Sequence, residues 1–531
     1  MEQVTIELNN VNSTVINGSG QIYTSLYNKL SCYAPQYWFA KSFREGRWDG
    51  KQHFFNQKDK TFPTGLIKIV VETLNEWEID VKIVDKRAKM IKFPSITENE
   101  IVLASGKTLR DYQASAVKTV VDNIYEGIPF QRGIINIATN GGKTVIAEAL
   151  IDDLYDKIPE NKCILFVTHS KEIALQAKTS FENDLGIEVG FIGDGKWKCS
   201  KVTIALISTL FSRMKKNSKE YQNLVKSTIG FIGDEIHHSS STSWYDVLGT
   251  LENASIRLGL TGTVENEDEV KRLRLTSVCG DILVKISNDY LIQRGYSAKP
   301  ECGLFKIDYP DIDNNMRYFG QDGEAGQLSY YDTYQKGIVR NDYRNWIIAK
   351  LCEREFLIKH QVLVLVEHLE HGAAIENFLN IVNPDIRHLF LYGELDSEER
   401  QTGLQLLKSG DVDVIISTSI LDEGVDVPNI NSVIYARGGK SIRKLLQGIG
   451  RGLRKKEDGS ALKFYDLMDY TSRYLLSHSL SRYKTLKKEN FEIKKLSLES
   501  DLGITESVKQ DFIDKYDTAF DEEVFVYTDD E

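Results

Sequence analysis

The stretch from Gly133 to Thr144 constrains the fold more than any other part of this chain. Gly133-Ile134-Ile135-Asn136-Ile137-Ala138 is a short apolar run rich in β-branched residues, which reads as a buried strand. It runs through Thr139-Asn140-Gly141-Gly142-Lys143-Thr144 into the helical pattern Val145 to Tyr155. A near-continuous apolar strand that feeds straight into a helix predicts a parallel sheet covered by helices on both faces. Similar runs follow at Cys163–Thr168, Val202–Ile207 and Ile229–Gly233, and a second series begins at Val362–Val366 and continues through Val412–Ser417 and Ser432–Tyr435. With 531 residues the chain is too long for a single core, so two α/β domains in tandem are expected. Ahead of them, residues 1 to about 105 alternate short apolar-aromatic runs with Gly and Pro, as in Thr61-Phe62-Pro63-Thr64-Gly65, and read as a small α+β module.

The turn between strand and helix has the chemistry of a phosphate cradle. Small residues let backbone N–H groups approach an anion at the positive end of a helix, Lys143 can neutralise β and γ oxygens, and the Thr144 hydroxyl can ligate magnesium. Ile137 stands where such loops usually begin with glycine, and Asn140 tolerates left-handed backbone. Taken alone, the segment is also what a glycine-rich turn with a solvated lysine looks like. Gly230-Phe231-Ile232-Gly233-Asp234-Glu235-Ile236-His237 adds two carboxylates at the end of an apolar strand. Asp234 suits a hydrated magnesium ion and Glu235 suits an attacking water. An Asp-Glu pair at a strand end can equally be a turn or a helix cap; behind a phosphate loop the functional reading is preferred.

Asp234-Glu235-Ile236-His237 behind Ala138 to Thr144 resembles the superfamily 2 helicases and translocases, and further motifs of that family follow in order. Leu109-Arg110-Asp111-Tyr112-Gln113 resembles its opening motif, which implies an adenine contact for Gln113 with Arg110 beside it. Phe166 to Ser170 and Ile207-Ser208-Thr209 resemble segments that grip a nucleic-acid backbone, which points to His169, Ser170, Ser208 and Thr209, with Thr418 in the second half. Leu260-Thr261-Gly262-Thr263 resembles the coupling motif. Ser417-Thr418 through Gly424, Asp426 and Pro428 resembles the fifth motif, placing Gly424 and Asp426 at the nucleotide, and Gln447 to Arg454 closes the set. Arg451 and Arg454 lie three residues apart, on one face of a helix, and by resemblance are the guanidinium groups that stabilise charge growing on the γ-phosphate, with Gln447 beside them. The resemblance covers residues 105–480 and implies two tandem RecA-like domains, with ATP and Mg2+ as cofactors. It gives expected limits of 1–105 for the N-terminal module, 106–298 and 299–500 for the RecA-like domains and 501–531 for an acidic flexible tail.

The N-terminal segment from Trp38 to Lys51, with Phe54-Phe55 and Thr61 to Leu66, is similar to the phage branch-migration helicases of the UvsW type. That similarity implies branch migration, fork regression and unwinding of D-loops and R-loops during replication, recombination and repair, in a bacterial host's cytoplasm if the chain is phage-encoded. Lys41, Arg44, Arg47 and Lys51 interleave with Trp38, Phe43 and Trp48, so the cations can hold phosphates while aromatic faces stack on bases. The same aromatics can instead build the core of a small domain. Removal of residues 1–101 is expected to spare the motor and abolish preference for junctions.

The net charge of -11 does not exclude a polyanion partner, because nine acidic residues against one lysine fall between Asp511 and Glu531, leaving the body nearly neutral. That tail reads as a solvated terminus, a docking peptide for a basic protein or a DNA mimic. DNA, branched, duplex or single-stranded, is the expected partner, with RNA-DNA hybrids as a further one. A monomer with no membrane association is expected, since no apolar run approaches the length of a span. Six scattered cysteines, without CxxC pairs, suggest reduced thiols rather than a zinc site. Two other functions compete: a duplex translocase subunit of a restriction or remodelling complex, and a non-hydrolysing clamp, which has no need of the full set Lys143, Asp234, Glu235, Arg451 and Arg454.

Overall fold

A computed structural model describes residues 3–87, 92–93, 100–139, 141–262, 268–315, 318–319, 325–326, 328–393, 395, 399, 402–403, 405–406, 409–418, 430–450 and 461–516. The chain divides into two compact units, Met1–Ser287 and Asn288–Glu531. The division precedes the expected boundary at residue 298. The helix Asn288–Gln293 belongs with the second unit, where Ile292 packs on a core cluster and the Asn288 amide donates to Glu489 at 3.0 Å.

The first unit is built on an eight-stranded sheet. Its order is Lys196–Lys198, Val189–Gly193, Val202–Leu206, Cys163–Thr168, Thr228–Gly233, Ile256–Thr261, Arg132–Ile137, Ile282–Ile286. Every pairing is parallel except that of the edge strand Lys196–Lys198. The five strands from Val202–Leu206 to Arg132–Ile137 are buried, Ile229 being half-buried, because helices such as Lys143–Tyr155 and Lys171–Leu185 cover one face and Ile207–Lys215 and Thr242–Gly249 the other. Ligand sites of such sheets form beyond the carboxyl ends of the strands, and the phosphate loop lies there.

The N-terminal residues form a four-stranded sheet in the order Thr61–Pro63, Asn12–Ile16, Gln3–Leu8, Asp80–Asp85, with the helices Gly20–Lys29 and Ile67–Glu76. This module does not have a core to itself. Val270 and Leu273 of the helix Glu269–Cys279, together with Phe130, share one buried cluster with Val4, Ile6, Phe54, Phe62 and Leu66. The approach is close enough that a Cβ on Gly65 would lie 1.9 Å from the Thr276 carbonyl. Excision of residues 1–101 would therefore strip an apolar face from the motor, contrary to the expectation that it would be spared.

The second unit carries a wholly parallel seven-stranded sheet in the order His388–Leu391, Val414–Ser417, Val362–Leu365, Ser432–Tyr435, Lys463–Asp469, Glu301–Ile307, Glu492–Leu496. Two parallel-sheet RecA-like units preceded by a small α/β region thus make up the chain. Buried ion pairs lie beside the second sheet: Arg344 Nε to Asp469 at 2.8 Å, and Arg482 Nε to Asp466 at 2.9 Å with carbonyl acceptors at Gly439 and Leu467. The expected flexible tail is instead ordered through Tyr516. Leu498–Leu502 and Glu506–Tyr516 are helices, and Phe512 is buried in a stack on Trp346 with ring centroids 4.4 Å apart. Residues 517–531 lie outside the described residues. No helix among the described residues is long and apolar enough to cross a membrane.

Candidate active site

The buried strand Arg132–Ile137 ends at Ala138, and Gly141 N–H returns to the Ala138 carbonyl at 3.0 Å, closing the turn that starts the helix Lys143–Tyr155. Gly142 adopts φ 76°, left-handed backbone that glycine enters without the steric cost of a Cβ. A Cβ there would also lie 2.1 Å from Gln113 Nε2. The segment ahead of the first helix is clamped onto this turn: Tyr112 Oη donates to the Gly141 carbonyl at 2.8 Å and Gln113 Nε2 donates to it at 3.1 Å. Gln113 Oε1 in turn accepts from the Arg110 N–H at 2.9 Å, and Arg110 Nη1 reaches Tyr112 Oη at 3.1 Å. The glutamine and the glycine turn are therefore one hydrogen-bonded assembly.

Asp234 and Glu235 follow the strand Thr228–Gly233, which is separated from the phosphate-loop strand by Ile256–Thr261. Asp234 N–H donates to the Val167 carbonyl at 2.8 Å, extending the ladder by one residue before the chain breaks away at Glu235, with φ 47° and ψ 48°. Ile236 holds that turn, because its side chain fills the hollow left by Gly233 and Gly259; a Cβ on either would lie 2.5 Å from it. The turn brings Glu235 into an ion pair with Lys143. His237 Nδ1 stands 3.0 Å from Thr261 Oγ1 and 3.2 Å from Glu235 Oε2, linking the carboxylate to the segment Leu260-Thr261-Gly262. Burial would raise the Glu235 carboxyl, but Lys143 and then His237 outweigh it and hold Glu235 well below the usual carboxylate range. Burial pushes Asp234 above its ordinary value, with the neighbouring Glu235 charge adding to the effect against Lys143.

These residues fit ATP and magnesium. The helix beginning at Lys143 turns its first N–H groups toward the glycine turn, and a buried carboxylate pair is a donor set whose mutual repulsion a divalent cation relieves. Arg110, Gln113, Thr139, Gly141, Gly142, Lys143, Thr144, Asp234 and Glu235 all lie in the first unit around this turn. Gln447 is buried on the helix Ile442–Gly450 of the second unit. Asn140, Gly424, Asp426, Arg451 and Arg454 lie outside the described residues.

Of the expected backbone contacts, His169 and Ser170 follow the strand Cys163–Thr168, and Ser208 and Thr209 sit at the start of the helix that follows its neighbour Val202–Leu206, so all four share one sheet edge. Ser170 caps the helix Lys171–Leu185, accepting from Ile173 N–H at 3.4 Å. Thr418 follows Val414–Ser417 in the second unit and is buried. Lys41, Arg44 and Arg47 lie on the segment that joins the paired strands Ser31–Tyr33 and Lys51–His53, and Lys51 begins the second of them. Sequence reasoning assigned no role to Tyr112, His237 or Arg274. Arg274 donates to the Ser240 carbonyl at 2.7 Å and to Gln52 Oε1 at 3.1 Å, bridging the segment after Glu235 to the N-terminal module; a single arginine in a helical run carries no sequence signal for that.

Residues 106–266 match the family model described as type III restriction enzyme, res subunit, and residues 346–456 match the helicase conserved C-terminal domain. The ATP-dependent DNA helicase uvsW of Enterobacteria phage T4 is 25% identical over 500 residues, covering 88% of this chain and 94% of its own length. The chain belongs to the superfamily 2 helicases. This helicase is also similar to the protein IRC3 of Saccharomyces cerevisiae, at 28% identity over 378 residues, 66% of this chain and 50% of the relative, so it spans half of that relative's length. Its fold is shared by the solved structure of S. cerevisiae Dbp5 bound to RNA and ADP BeF3, with a TM-score of 0.52 at 13% identity, over 75% of this chain and 92% of that one. The ATP-dependent helicase domains account for both series of strands read from the sequence.

Proposed function

We propose that this enzyme is an ATP-driven DNA helicase that works on branched DNA, with magnesium-ATP as its cofactor. The observation that carries the reading is the convergence of Lys143, Asp234 and Glu235 on one end of the first sheet, with His237 joining Glu235 to Thr261. Lys143 is paired to Glu235, and a triphosphate that takes up the lysine would leave the carboxylate to orient and deprotonate water. Thr144 and Asp234 would hold magnesium, which when bound offsets phosphate charge. By resemblance to the family's motifs, Asn140, Gly141 and Gly142 would serve the phosphates, Gln113 and Arg110 the adenine, Gly424 and Asp426 the nucleotide, and Gln447, Arg451 and Arg454 the charge growing on the γ-phosphate. His237 passes the state of Glu235 to Thr261.

His169, Ser170, Ser208, Thr209 and Thr418 hold the tracked strand, while Lys41, Arg44, Arg47 and Lys51 hold phosphates at the branch. The match with uvsW supports the branched substrate, since it extends over 88% of this chain. The match of residues 106–266 to a restriction-enzyme subunit favours a second reading, a translocase moving along unbranched duplex. Steady-state ATP hydrolysis without nucleic acid and with single strand, linear duplex, fork, four-way junction and R-loop separates the two, with Glu235→Gln as the blank. Stimulation by forks and junctions, lost in the variant, is expected. Stimulation by plain duplex alone selects the translocase, and none by any nucleic acid refutes both.

A further inference from the structure

We propose that Trp38 and Phe39 form a stacking wedge that enters DNA at the point where its strands part. The inference rests on the DNA-helicase reading above and goes beyond it by assigning the side chains that meet the bases. The two rings are 52% and 68% exposed on a single 3-10 turn, Tyr37–Phe39, although large aromatics of a folded domain ordinarily seek cover. The turn is firmly mounted. Tyr37 beneath it stacks on Tyr33 with centroids 4.6 Å apart and meets Phe43 edge-on at 4.7 Å, and Gly50, at φ 80°, leaves room for it where a Cβ would lie 2.5 Å from the Tyr37 ring. Trp48 Nε1 donates to the Lys51 carbonyl at 2.9 Å and closes the base of the loop. Half-buried Tyr37 and Phe43, with the exposed Tyr33 ring stacked on Tyr37, back the two exposed rings.

The geometry of the pair suits a fork. The Trp38 and Phe39 centroids are 5.8 Å apart and their planes are inclined by 48°, so the rings cannot share one base; each turns a face to a different base, as diverging strands require. The rim is cationic. Lys41, Arg44, Arg47 and Lys51 follow the turn, Lys51 with its ammonium 4.9 Å over the Tyr33 ring, against two carboxylates, Glu45, which pairs with Lys41 and Arg47, and Asp49, which pairs with His53. This charge complements phosphates flanking an opened pair. The mount is continuous with the motor: Gln52, on the strand that leaves the loop, is held by Arg274, whose second contact is the Ser240 carbonyl five residues beyond Glu235.

The test uses the full chain and a fork or four-way junction carrying 2-aminopurine at the branch point. Trp38→Ala/Phe39→Ala removes two exposed side chains and leaves the Tyr37 foundation in place. The wild-type chain is expected to change the 2-aminopurine fluorescence on binding. The variant should lose that change and open junctions about tenfold more slowly or worse, a size set by the loss of base–aromatic stacking, while ATP hydrolysis stimulated by plain single strand stays at the wild-type level. Trp38→Tyr/Phe39→Tyr should restore both readouts. Unchanged branch-point fluorescence and opening in the alanine variant, as expected of a protein-docking patch, would overturn the wedge while leaving the helicase reading intact. An equal loss on single strand and junction would overturn it in favour of a general track contact. Failure of every DNA to stimulate the wild-type chain would refute the helicase reading itself, and the wedge with it.

Discussion

Glu148 sits on the phosphate-loop helix with its side chain turned into the core of the first unit, where it accepts from Ser180 Oγ and lies 3.7 Å from Lys107 Nζ. Burial pushes its carboxyl up to about 7, against the opposing effects of Ser180 and Lys107. The folded unit therefore binds this proton more tightly than the unfolded chain does. A group of this kind contributes stability that is fully present below its unfolded value, near 4.5, and is lost as pH rises to about 7. At about 1.36 kcal/mol for each pH unit between those values, the loss is on the order of 3 kcal/mol. Glu148→Gln keeps the shape and the acceptor for Ser180 but removes the proton equilibrium. Urea unfolding of wild type and variant at a series of pH values between 4.5 and 8, at fixed salt, should show the variant gaining relative stability across this interval. It should be the more stable protein at pH 8 by about 1–3 kcal/mol, the lower figure allowing for the Lys107 contact. Parallel pH dependences for the two proteins, or a variant less stable at pH 8 than wild type, would refute the reasoning.

Gly142→Ala should weaken nucleotide binding, because the residue would carry a Cβ at φ 76° and displace Gln113; left-handed strain and a lost hydrogen bond together cost about 2–3 kcal/mol, or about 30- to 150-fold in the affinity of a fluorescent ATP analogue. Arg344→Leu should destabilise the second unit by about 3–5 kcal/mol, since it leaves Asp469 buried beside a missing partner, and limited proteolysis together with denaturant unfolding would register it. Phe512→Ala should cost about 3–5 kcal/mol of local packing and free the helix Glu506–Tyr516 from Trp346, read as faster amide exchange in that helix with hydrolysis unchanged.

The motor was legible where its chemistry is local. Ala138 to Thr144 and Asp234-Glu235 are contiguous and adjoin apolar strands buried on both faces, so one stretch of sequence records both the strand and the group it carries. Polar edge strands were silent: Lys196–Lys198 and Glu492–Leu496 are exposed or half-exposed and carry no apolar run to mark them. The tail misled because its acidic composition outweighs one residue, Phe512, whose burial depends on Trp346 far away in the chain. The union of the N-terminal sheet with the helix Glu269–Cys279 was unreadable for the same reason, since Leu66 and Leu273 meet only through tertiary packing. His237 stood in a quoted motif, yet its partner Thr261 is brought to it by the strand next to its own.

The central claim, that ATP hydrolysis activated by Glu235 drives the movement of a DNA branch, is tested most directly on a four-way junction with mobile arms, labelled so that migration separates a fluorophore from its quencher. With magnesium and ATP the wild-type chain should convert the junction to separated products, and Glu235→Gln should bind junction and nucleotide yet give no conversion above the uncatalysed rate. A wild-type chain that hydrolyses ATP on linear duplex while leaving the junction unmoved, or a Glu235→Gln variant that converts it as fast as wild type, would contradict the account.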